Sequence, residues 1–218
     1  MFNVIKKYSY LLAIPIYGAI YLSCFFLVEG REVEKFHIVH SVVDDLIPFC
    51  EIFVIPYFIW FFYVAATVVI IGLSDRADFL NVAVYLATGM TLFIIISFIY
   101  PNAHELRPTN FSRNNIFVDM VRALYETDTP TNLLPSIHVY NSIACHIGIA
   151  KCKLFKNNSA VKHISLVVAV LIIISTMFIK QHSFVDVVLG FLFAIAIYPL
   201  SYKIDWEKVI FKTENSCG

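Results

Sequence analysis

The sequence predicts an all-α integral membrane protein, a polytopic bundle of transmembrane helices that forms one domain over residues 1–218. Of the 218 residues, 59% are hydrophobic and only 15% are charged, and the mean hydropathy is +0.76. Uncharged apolar stretches of roughly 17–25 residues are typical of membrane-spanning helices. No internal repeat, low-complexity tract or linker divides the sequence.

Six stretches are predicted to cross the bilayer. In chain order they are Tyr8–Val28, Phe49–Leu73, Phe79–Tyr100, Ile137–Phe155, Ile164–Ile179 and Val187–Tyr202. The first is predicted to be a retained helix, because its apolar run exceeds that of a signal peptide and no small-residue cleavage site follows it. The fourth has the shortest uncharged centre, since Lys151 and Lys153 must extend to the interface.

Two segments between the predicted spans carry apolar residues at helical spacing. The segments are Glu32–Ile47, with Val33, Phe36, Val43 and Ile47, and Asn114–Tyr125, with Ile116, Phe117, Met120, Val121 and Leu124. Both are predicted to be amphipathic helices in the membrane interface. Ordinary packing of a loop over the helix bundle explains the same pattern.

The basic residues predict the orientation of the bundle. With six spans and the N-terminus inside, ten of the sixteen Lys and Arg residues fall in inner segments; they are Lys6, Lys7, Arg76, Lys151, Lys153, Lys156, Lys162, Lys203, Lys208 and Lys212. The positive-inside rule then predicts a cell-membrane protein with both termini in the cytoplasm. His138, His182, Asp186 and Arg107 fall on the outer face. A net charge of zero gives no indication of a nucleic-acid partner, and oligomeric state stays open.

His182 and Asp186 form the strongest local signal for chemistry. Four residues apart, they share a face on a helix, so the carboxylate can hold one ring nitrogen and leave the other free. This arrangement prepares a nucleophilic imidazole. An aspartate that enters a membrane helix normally faces a partner or a wet cavity. A His–Asp pair that merely ties helices together is the alternative.

Two further motifs supply candidate phosphate ligands. In Pro135-Ser136-Ile137-His138, Ser136 is predicted to cap a helix whose free amides and dipole attract an anion. His138, one turn in, is a candidate acid. Arg107-Pro108 offers a planar fork of donors suited to phosphate oxygens. A plain helix cap and a solvated loop arginine are the alternatives.

Taken in order, Arg-Pro, Pro-Ser-x-His and His-x-x-x-Asp resemble the motifs of the type 2 phosphatidic acid phosphatase superfamily, from about Tyr100 to Gly190. The fragments Leu-Arg-Pro-Thr-Asn, Pro-Ser-Ile-His and Lys-Gln-His-Ser-Phe-Val-Asp-Val-Val look most like the branch that includes inositol phosphorylceramide synthases. The six-helix plan fits this resemblance as well.

The resemblance implies a mechanism and a set of site residues. His182 would attack phosphorus and form a phosphohistidine, Asp186 would orient it, and His138 would protonate the departing lipid alkoxide. Arg107, Ser136 and the amides near Ile137 would hold the phosphate oxygens. The implied substrate is a lipid-linked phosphate monoester or diphosphate in the bilayer, and no cofactor or metal is implied.

The sequence departs from the family pattern at three positions. Tyr100 stands where the family has a lysine, Thr176 where it has an arginine, and Ile137 where it usually has glycine. Two cationic phosphate ligands are therefore missing. Lys180 is the preferred replacement because it lies only two residues before His182; Arg113 and Arg122 are the other candidates.

Several functions stay open at this point. A phosphotransferase would keep the phosphohistidine and pass its phosphoryl group to an alcohol instead of water. A non-catalytic lipid-binding or transport protein would keep the fold. Haem ligation by His138, His146 or His182 leaves Arg107 and Ser136 unexplained. A metal-dependent phosphatase would need clustered carboxylates, whereas Asp44, Asp45 and Glu51 are far in sequence from the motifs.

Overall fold

The computed structural model describes residues 8–211, and within that range nine α-helices make up nearly all of the regular structure. They are α1 (Ala13–Glu29), α2 (Val42–Leu46), α3 (Val54–Ser74), α4 (Arg76–Ile99), α5 (Ile116–Thr127), α6 (Ile137–Lys151), α7 (Ser159–Phe178), α8 (Phe184–Tyr202) and α9 (Trp206–Phe211). The 3₁₀ turns Ser9–Leu12 and Glu51–Phe53 lead into α1 and α3, and Lys153–Phe155 follows α6.

Five of the predicted spans are confirmed as helices long and apolar enough to cross a membrane. They are Ser9–Glu29, Glu51–Ser74, Arg76–Ile99, Ser159–Phe178 and Phe184–Tyr202. Between a tenth and a third of the most apolar window of each is buried inside the protein, so most of their apolar surface faces outward, as it does in helices surrounded by lipid. The chain is therefore an all-α polytopic membrane protein.

The fourth predicted span, Ile137–Phe155, differs from the others. Helix α6 has 15 residues and ends at Lys151, so it is about 22 Å long against a hydrocarbon core of about 30 Å. It packs against α3, α4, α7 and α8, and most of its side chains are buried. Because other helices surround it, α6 is the central helix of the bundle.

A close approach of α4 to α6 depends on Gly89. A Cβ atom at Gly89 would overlap the ring of Tyr140. That ring is buried, and its hydroxyl donates to the carbonyl of Tyr85 at 2.6 Å. The absence of a side chain at Gly89 therefore lets the central helix sit against α4.

The prediction of an amphipathic helix over Glu32–Ile47 is wrong for most of that range. Helix α2 covers Val42–Leu46 alone, whereas His37–Ile38 (β1) pairs in parallel with Asn102–Ala103 (β2). The pairing satisfies main-chain groups of two loops that meet at one end of the bundle. Local spacing of apolar residues could not reveal this partner.

The second segment, Asn114–Tyr125, contains a helix with one apolar face, as its spacing of apolar residues indicates. Helix α5 begins after Asn115, whose side chain accepts from the amides of Phe117 and Val118 at 3.0 Å. Its buried residues Val121 and Leu124 lie in a cluster with the start of α3 and the end of α7. Its apolar face therefore packs on the bundle itself.

Helix ends meet at one end of the bundle, hereafter the histidine end because it holds His138 and His182. There the amide of Cys50 donates to the carbonyl of Phe178 (2.9 Å), and that of Ser136 donates to the carbonyl of Asp186 (3.2 Å). The opposite end is joined by other contacts, such as Arg76 with Glu207. The motif residues thus lie together at one end.

Candidate active site

His182 and Asp186 are joined by the cap of α8. Ser183 is the N-cap, and Asp186 closes a capping box with it, as its Oδ2 accepts from the amide of Ser183 at 2.8 Å. The same Oδ2 lies 3.2 Å from Nδ1 of His182. His182 precedes the helix, so the pair arises from the capping box and not from a shared helical face. The carboxylate is fully buried and its Oδ1 lacks a partner among residues 8–211.

The acceptor at Nδ1 determines the tautomer of His182. A carboxylate cannot donate, so Nδ1 carries the proton and Nε2 has a free lone pair. That Nε2 lies 3.4 Å from Nδ1 of His138. The predicted nucleophile and the predicted acid thus face each other, although 44 residues separate them in sequence.

His138 is positioned by the start of α6 and by aromatic packing. Ser136 caps this helix, its side chain accepting from the amide of Val139 at 3.4 Å. The imidazole of His138 packs against the rings of Tyr57 and Trp60, at centroid distances of 4.5 and 4.3 Å. The bond between Ser136 and Asp186 brings the starts of α6 and α8 together and so sets the distance between the two imidazoles.

Arg107 contacts Gln181, the residue before His182. Its guanidinium donates to the carbonyls of Tyr125 (3.2 Å) and Asp128 (2.6 Å) and to Oε1 of Gln181 (2.5 Å). It also stacks over the ring of Tyr125, 4.3 Å from the centroid, and burial lowers the pKa of Arg107. The guanidinium that was predicted to bind phosphate therefore contacts Gln181, the residue before His182, and is linked to the histidines only through it.

Lys180 was predicted to bind phosphate, but its side chain does not contact the two histidines. Its Nζ donates to the carbonyls of Asp44 (2.7 Å) and Ile47 (2.5 Å), and it lines a separate cavity of about 350 Å³ beside His40 and Asp45. Burial lowers the pKa of Lys180. Lys180 is close to His182 in sequence, but at the turn after α7 it has a left-handed backbone, with φ of 53°, and its ammonium contacts the segment before α3 instead of the histidines.

The other proposed replacements for the missing cations are also engaged away from the histidines. Arg113 pairs with Glu51 at 3.1 Å and Arg122 with Asp119 at 3.0 Å. Tyr100 and Thr176 stand where the family has a lysine and an arginine. The ring of Tyr100 stacks on His37, and the hydroxyl of Thr176 donates to a carbonyl of its own helix.

A cavity of about 370 Å³ opens beside the two histidines. Ile137 and Gln181 share its wall with them, and aromatic side chains from α1, α3 and α4 form much of the remainder. Two carboxylates, Glu29 and Asp128, also line it. The aromatic and aliphatic members are Tyr21, Leu22, Phe25, Tyr57, Phe58, Trp60, Phe61, Phe93, Leu124 and Leu133.

Sequence reasoning missed Asp128 and Gln181. Asp128 Oδ2 accepts from the hydroxyl of Tyr57 (3.0 Å) and from Nε2 of Gln181 (2.9 Å). Gln181 adjoins His182, and that adjacency was a usable signal. Asp128 stands in a polar stretch without a motif, so only its tertiary contacts identify it.

His104 and Asp44 were also not predicted as site residues. His104 bonds to Gln181, and Asp44 bonds to Ser183 and Phe184 at the start of α8. Nδ1 of His104 accepts from the amide of Leu106 (3.1 Å), so its protonated Nε2 donates to the carbonyl of Gln181 (3.0 Å). Burial lowers the pKa of His104 to about 4. Asp44 accepts from the hydroxyl of Ser183 (2.6 Å) and the amide of Phe184 (2.7 Å).

Over residues 8–211, no group of three or more His, Cys, Asp or Glu side chains is arranged to hold a metal ion. The candidate site consists of an oriented imidazole, a second imidazole and the amides at the start of α6. This arrangement suits nucleophilic attack on a phosphate ester with acid–base assistance.

Fold and site together define a membrane-embedded protein with a buried His–His–Asp site at one end of its helix bundle. The model of the PAP2 superfamily matches residues 83–210, which include His138, His182 and Asp186. Since this match covers more than half of the sequence, the chain belongs to the PAP2 superfamily, whose members are in general phosphatases. No curated protein and no solved structure shows significant similarity to the chain.

Proposed function

We propose that this protein is a membrane lipid phosphatase that hydrolyses a lipid-linked phosphate monoester or diphosphate through a phosphohistidine on His182. The observation that supports this most is the geometry of His182. Its Nδ1 is held by Asp186 at 3.2 Å, and its free Nε2 faces His138 at 3.4 Å. Both imidazoles line one cavity.

The reaction proceeds in two steps. The lone pair on Nε2 of His182 attacks phosphorus while the bond from phosphorus to the lipid oxygen breaks, and protonated His138 gives its proton to that oxygen. Asp186 stabilises the positive charge on the His182 ring. Water then attacks phosphorus, His138 takes its proton, and the P–N bond breaks to release phosphate. The two imidazoles must separate to admit the phosphoryl group, since reacting atoms approach to about 3–3.5 Å.

The start of α6 and Arg107 bind the phosphate oxygens in this proposal. The amides of Ile137 and His138 donate to no acceptor among residues 8–211, and the N-terminal dipole of the helix favours an anion. Arg107 exchanges Oε1 of Gln181 for a phosphate oxygen when substrate binds. Lys180 would have to leave the carbonyls of Asp44 and Ile47 before it could bind a phosphate oxygen.

We further propose that the histidine end faces the outside of the cell membrane and that both termini lie in the cytoplasm. At the opposite end, basic residues lie at or near helix ends; they are Arg76, Lys151, Lys153, Lys203 and Lys208. The positive-inside rule favours a cytoplasmic location for that end.

A phosphotransferase is the second candidate, in keeping with the resemblance to inositol phosphorylceramide synthases. The observation that favours it is the polar wall next to His182, where Asp128, Thr127 and Asn132 could hold an alcohol acceptor. Addition of diacylglycerol or ceramide would then yield a phosphorylated acceptor at the expense of free phosphate.

The test uses detergent-purified protein and phosphatidate, lysophosphatidate and polyprenyl diphosphate carrying a radioactive phosphoryl group. We expect phosphate release and an acid-labile, alkali-stable label on the protein, both lost in His182→Ala. His163→Ala is the matched control, because His163 lies on α7 and its Nδ1 contacts the carbonyl of Ser159. Equal phosphate release by His182→Ala and the unmodified protein would refute the phosphohistidine mechanism.

A further inference from the structure

The imidazole of His138 has a partner at only one of its two nitrogens. Its Nδ1 lies 3.4 Å from Nε2 of His182, whereas its Nε2 is buried without a partner among residues 8–211. In the proposed reaction this ring protonates the lipid oxygen and later takes a proton from water. Because a protonated imidazole has an N–H donor at both nitrogens, its Nε2 then needs a hydrogen-bond acceptor.

The aromatic rings around His138 do not provide that acceptor. Tyr57 and Trp60 pack against the imidazole at centroid distances of 4.5 and 4.3 Å, and aromatic faces attract a cation. The hydroxyl of Tyr57, however, donates to Asp128 at 3.0 Å, and indole Nε1 is a donor only. The acceptor for Nε2 must therefore come from another residue.

Asn141 lies three residues after His138 on α6. Residues at this spacing are neighbours on the helix surface, with Cβ atoms about 5–6 Å apart, and helical side chains lean toward the N-terminus. The side chain of Asn141 is 1% exposed, and its Oδ1 and Nδ2 both lack a partner among the described residues. Two unpaired polar groups therefore occupy neighbouring positions on the central helix, where such groups are destabilising unless they are hydrogen-bonded.

An amide oxygen at Nε2 would determine which nitrogen of His138 transfers the proton. If Oδ1 of Asn141 accepts from Nε2–H, that proton stays in place, and Nδ1 is the nitrogen that releases a proton and takes one back. Nδ1 is also the nitrogen that faces His182. A neutral oxygen suits this role, because a carboxylate would bind the protonated ring more strongly and retain its charge.

We propose that Asn141 is a positioning residue for the general acid. Its amide oxygen accepts a hydrogen bond from Nε2 of His138 and so directs the transferable proton to Nδ1, beside His182. Asn141 would then act on His138 as Asp186 acts on His182. This inference rests on the proposed function.

The test uses Asn141→Leu, which removes the amide and nearly keeps the size of the side chain. Two phosphate monoesters are compared: phosphatidate, whose alkoxide needs a proton to leave, and a nitrophenyl phosphate with an alkyl chain, whose phenolate leaves without one. We expect kcat/KM for phosphatidate to fall about 10–100-fold, since a general acid contributes about 10²–10⁴-fold and the loss of a hydrogen bond to a charged group removes part of that. The nitrophenyl ester should keep most of its kcat/KM.

The pH dependence of kcat/KM for phosphatidate gives a second readout. The titratable groups around His138 are His182 and Asp186 at the start of α8, Tyr57 on α3, and Glu29 and Asp128 in the shared cavity. Asn141→Leu keeps all of them and removes only the acceptor for one N–H of the protonated ring. The alkaline limb of the profile, where the acid loses its proton, should therefore move to lower pH by about one unit or more.

Ser142→Ala is the matched control on the same helix. Ser142 is also buried, and its hydroxyl donates to the main-chain carbonyl of His138 at 2.6 Å, within the helix and away from the imidazole nitrogens. This variant should change neither the contrast between the two esters nor the alkaline limb.

Two results for Asn141→Leu would overturn this inference while leaving the proposed function intact. One is an equal change in kcat/KM for both esters, and the other is an unchanged alkaline limb. If the unmodified protein releases phosphate from neither ester, the proposed function fails. NMR titration of the histidine ring nitrogens then tests the contact alone, with the signals of His138 identified by their loss in His138→Gln. Identical titration of His138 in the unmodified protein and in Asn141→Leu would overturn the inference.

Discussion

Asp44→Asn is expected to reduce turnover without altering any group that touches the substrate. The buried carboxylate of Asp44 accepts three hydrogen bonds, from the amide of Ser41 (2.8 Å), the hydroxyl of Ser183 (2.6 Å) and the amide of Phe184 (2.7 Å). Ser183 and Phe184 begin the helix that carries Asp186. Asp44 is therefore a positioning residue for the His182–Asp186 pair.

The magnitude follows from how an amide replaces this carboxylate. Oδ2 accepts from Ser41 and Ser183, and Oδ1 accepts from Phe184. In either orientation of the substituted asparagine side chain, its NH₂ group faces at least one backbone N–H. A hydrogen bond to a charged group contributes about 1.5–3 kcal/mol, and a negative charge at a helix start adds about 0.3–1 kcal/mol. We expect a loss of about 2–4 kcal/mol in unfolding free energy.

The assay measures both stability and kinetics. Denaturant unfolding in detergent gives the loss of stability, and steady-state phosphate release from phosphatidate separates kcat from KM. Because a shift of about 1 Å in a reacting group can reduce the rate about 100-fold, kcat should fall at least tenfold with KM nearly unchanged.

Asp45→Asn is the control for this prediction. The neighbouring carboxylate of Asp45 is 63% exposed and pairs with His40 at 2.9 Å, so its replacement should change stability by less than about 1 kcal/mol. If Asp44→Asn matches Asp45→Asn in both stability and kcat, Asp44 does not position the helix start.

Two further predictions concern His104 and Gly89. Burial lowers the pKa of His104 from 6.5 to about 4, so the folded protein binds fewer protons than the unfolded chain between these values. Stability should then be full above pH 6.5 and fall by about 3 kcal/mol as the pH decreases to about 4. His104→Gln, which keeps a donor for the carbonyl of Gln181 but does not titrate, should remove that component from a pH series of thermal unfolding; an unchanged series would contradict it. Gly89→Ala should cost about 1–3 kcal/mol or more, because its Cβ would overlap the ring of Tyr140. Gly18→Ala, where nothing lies within 4 Å, should be neutral or stabilising, and equal unfolding midpoints for the two variants would refute the packing argument.

Local patterns in the sequence were enough to predict the elements that depend on neighbouring residues. Five spans follow from uncharged apolar runs, and α5 follows from apolar residues at helical spacing. The predicted contact between His182 and Asp186 is also present, although a capping box produces it and not a shared helical face. In each case the relevant interactions lie within a turn or two of helix, or between a helix and its surrounding solvent.

The same local reasoning failed where a segment found a distant partner. His37–Ile38 pairs with residues after α4 instead of extending a helix. Lys180, two residues before His182 in sequence, donates to the carbonyls of Asp44 and Ile47. Arg107 does not line the cavity, because its two terminal nitrogens donate to two backbone carbonyls and to the amide oxygen of Gln181.

The sequence by itself determined five helices that can span a membrane, the superfamily and the identity of the three residues proposed to carry the chemistry. Only the tertiary structure decided that His138 faces His182, that α6 is the central helix, and that Tyr21 and Trp60 share a cavity with both histidines. These relations depend on how helices far apart in sequence pack, and the packing is set by many contacts at once, such as the fit of Tyr140 over Gly89. No local pattern contains that information, because a helix presents the same spacing of side chains whichever neighbour it meets.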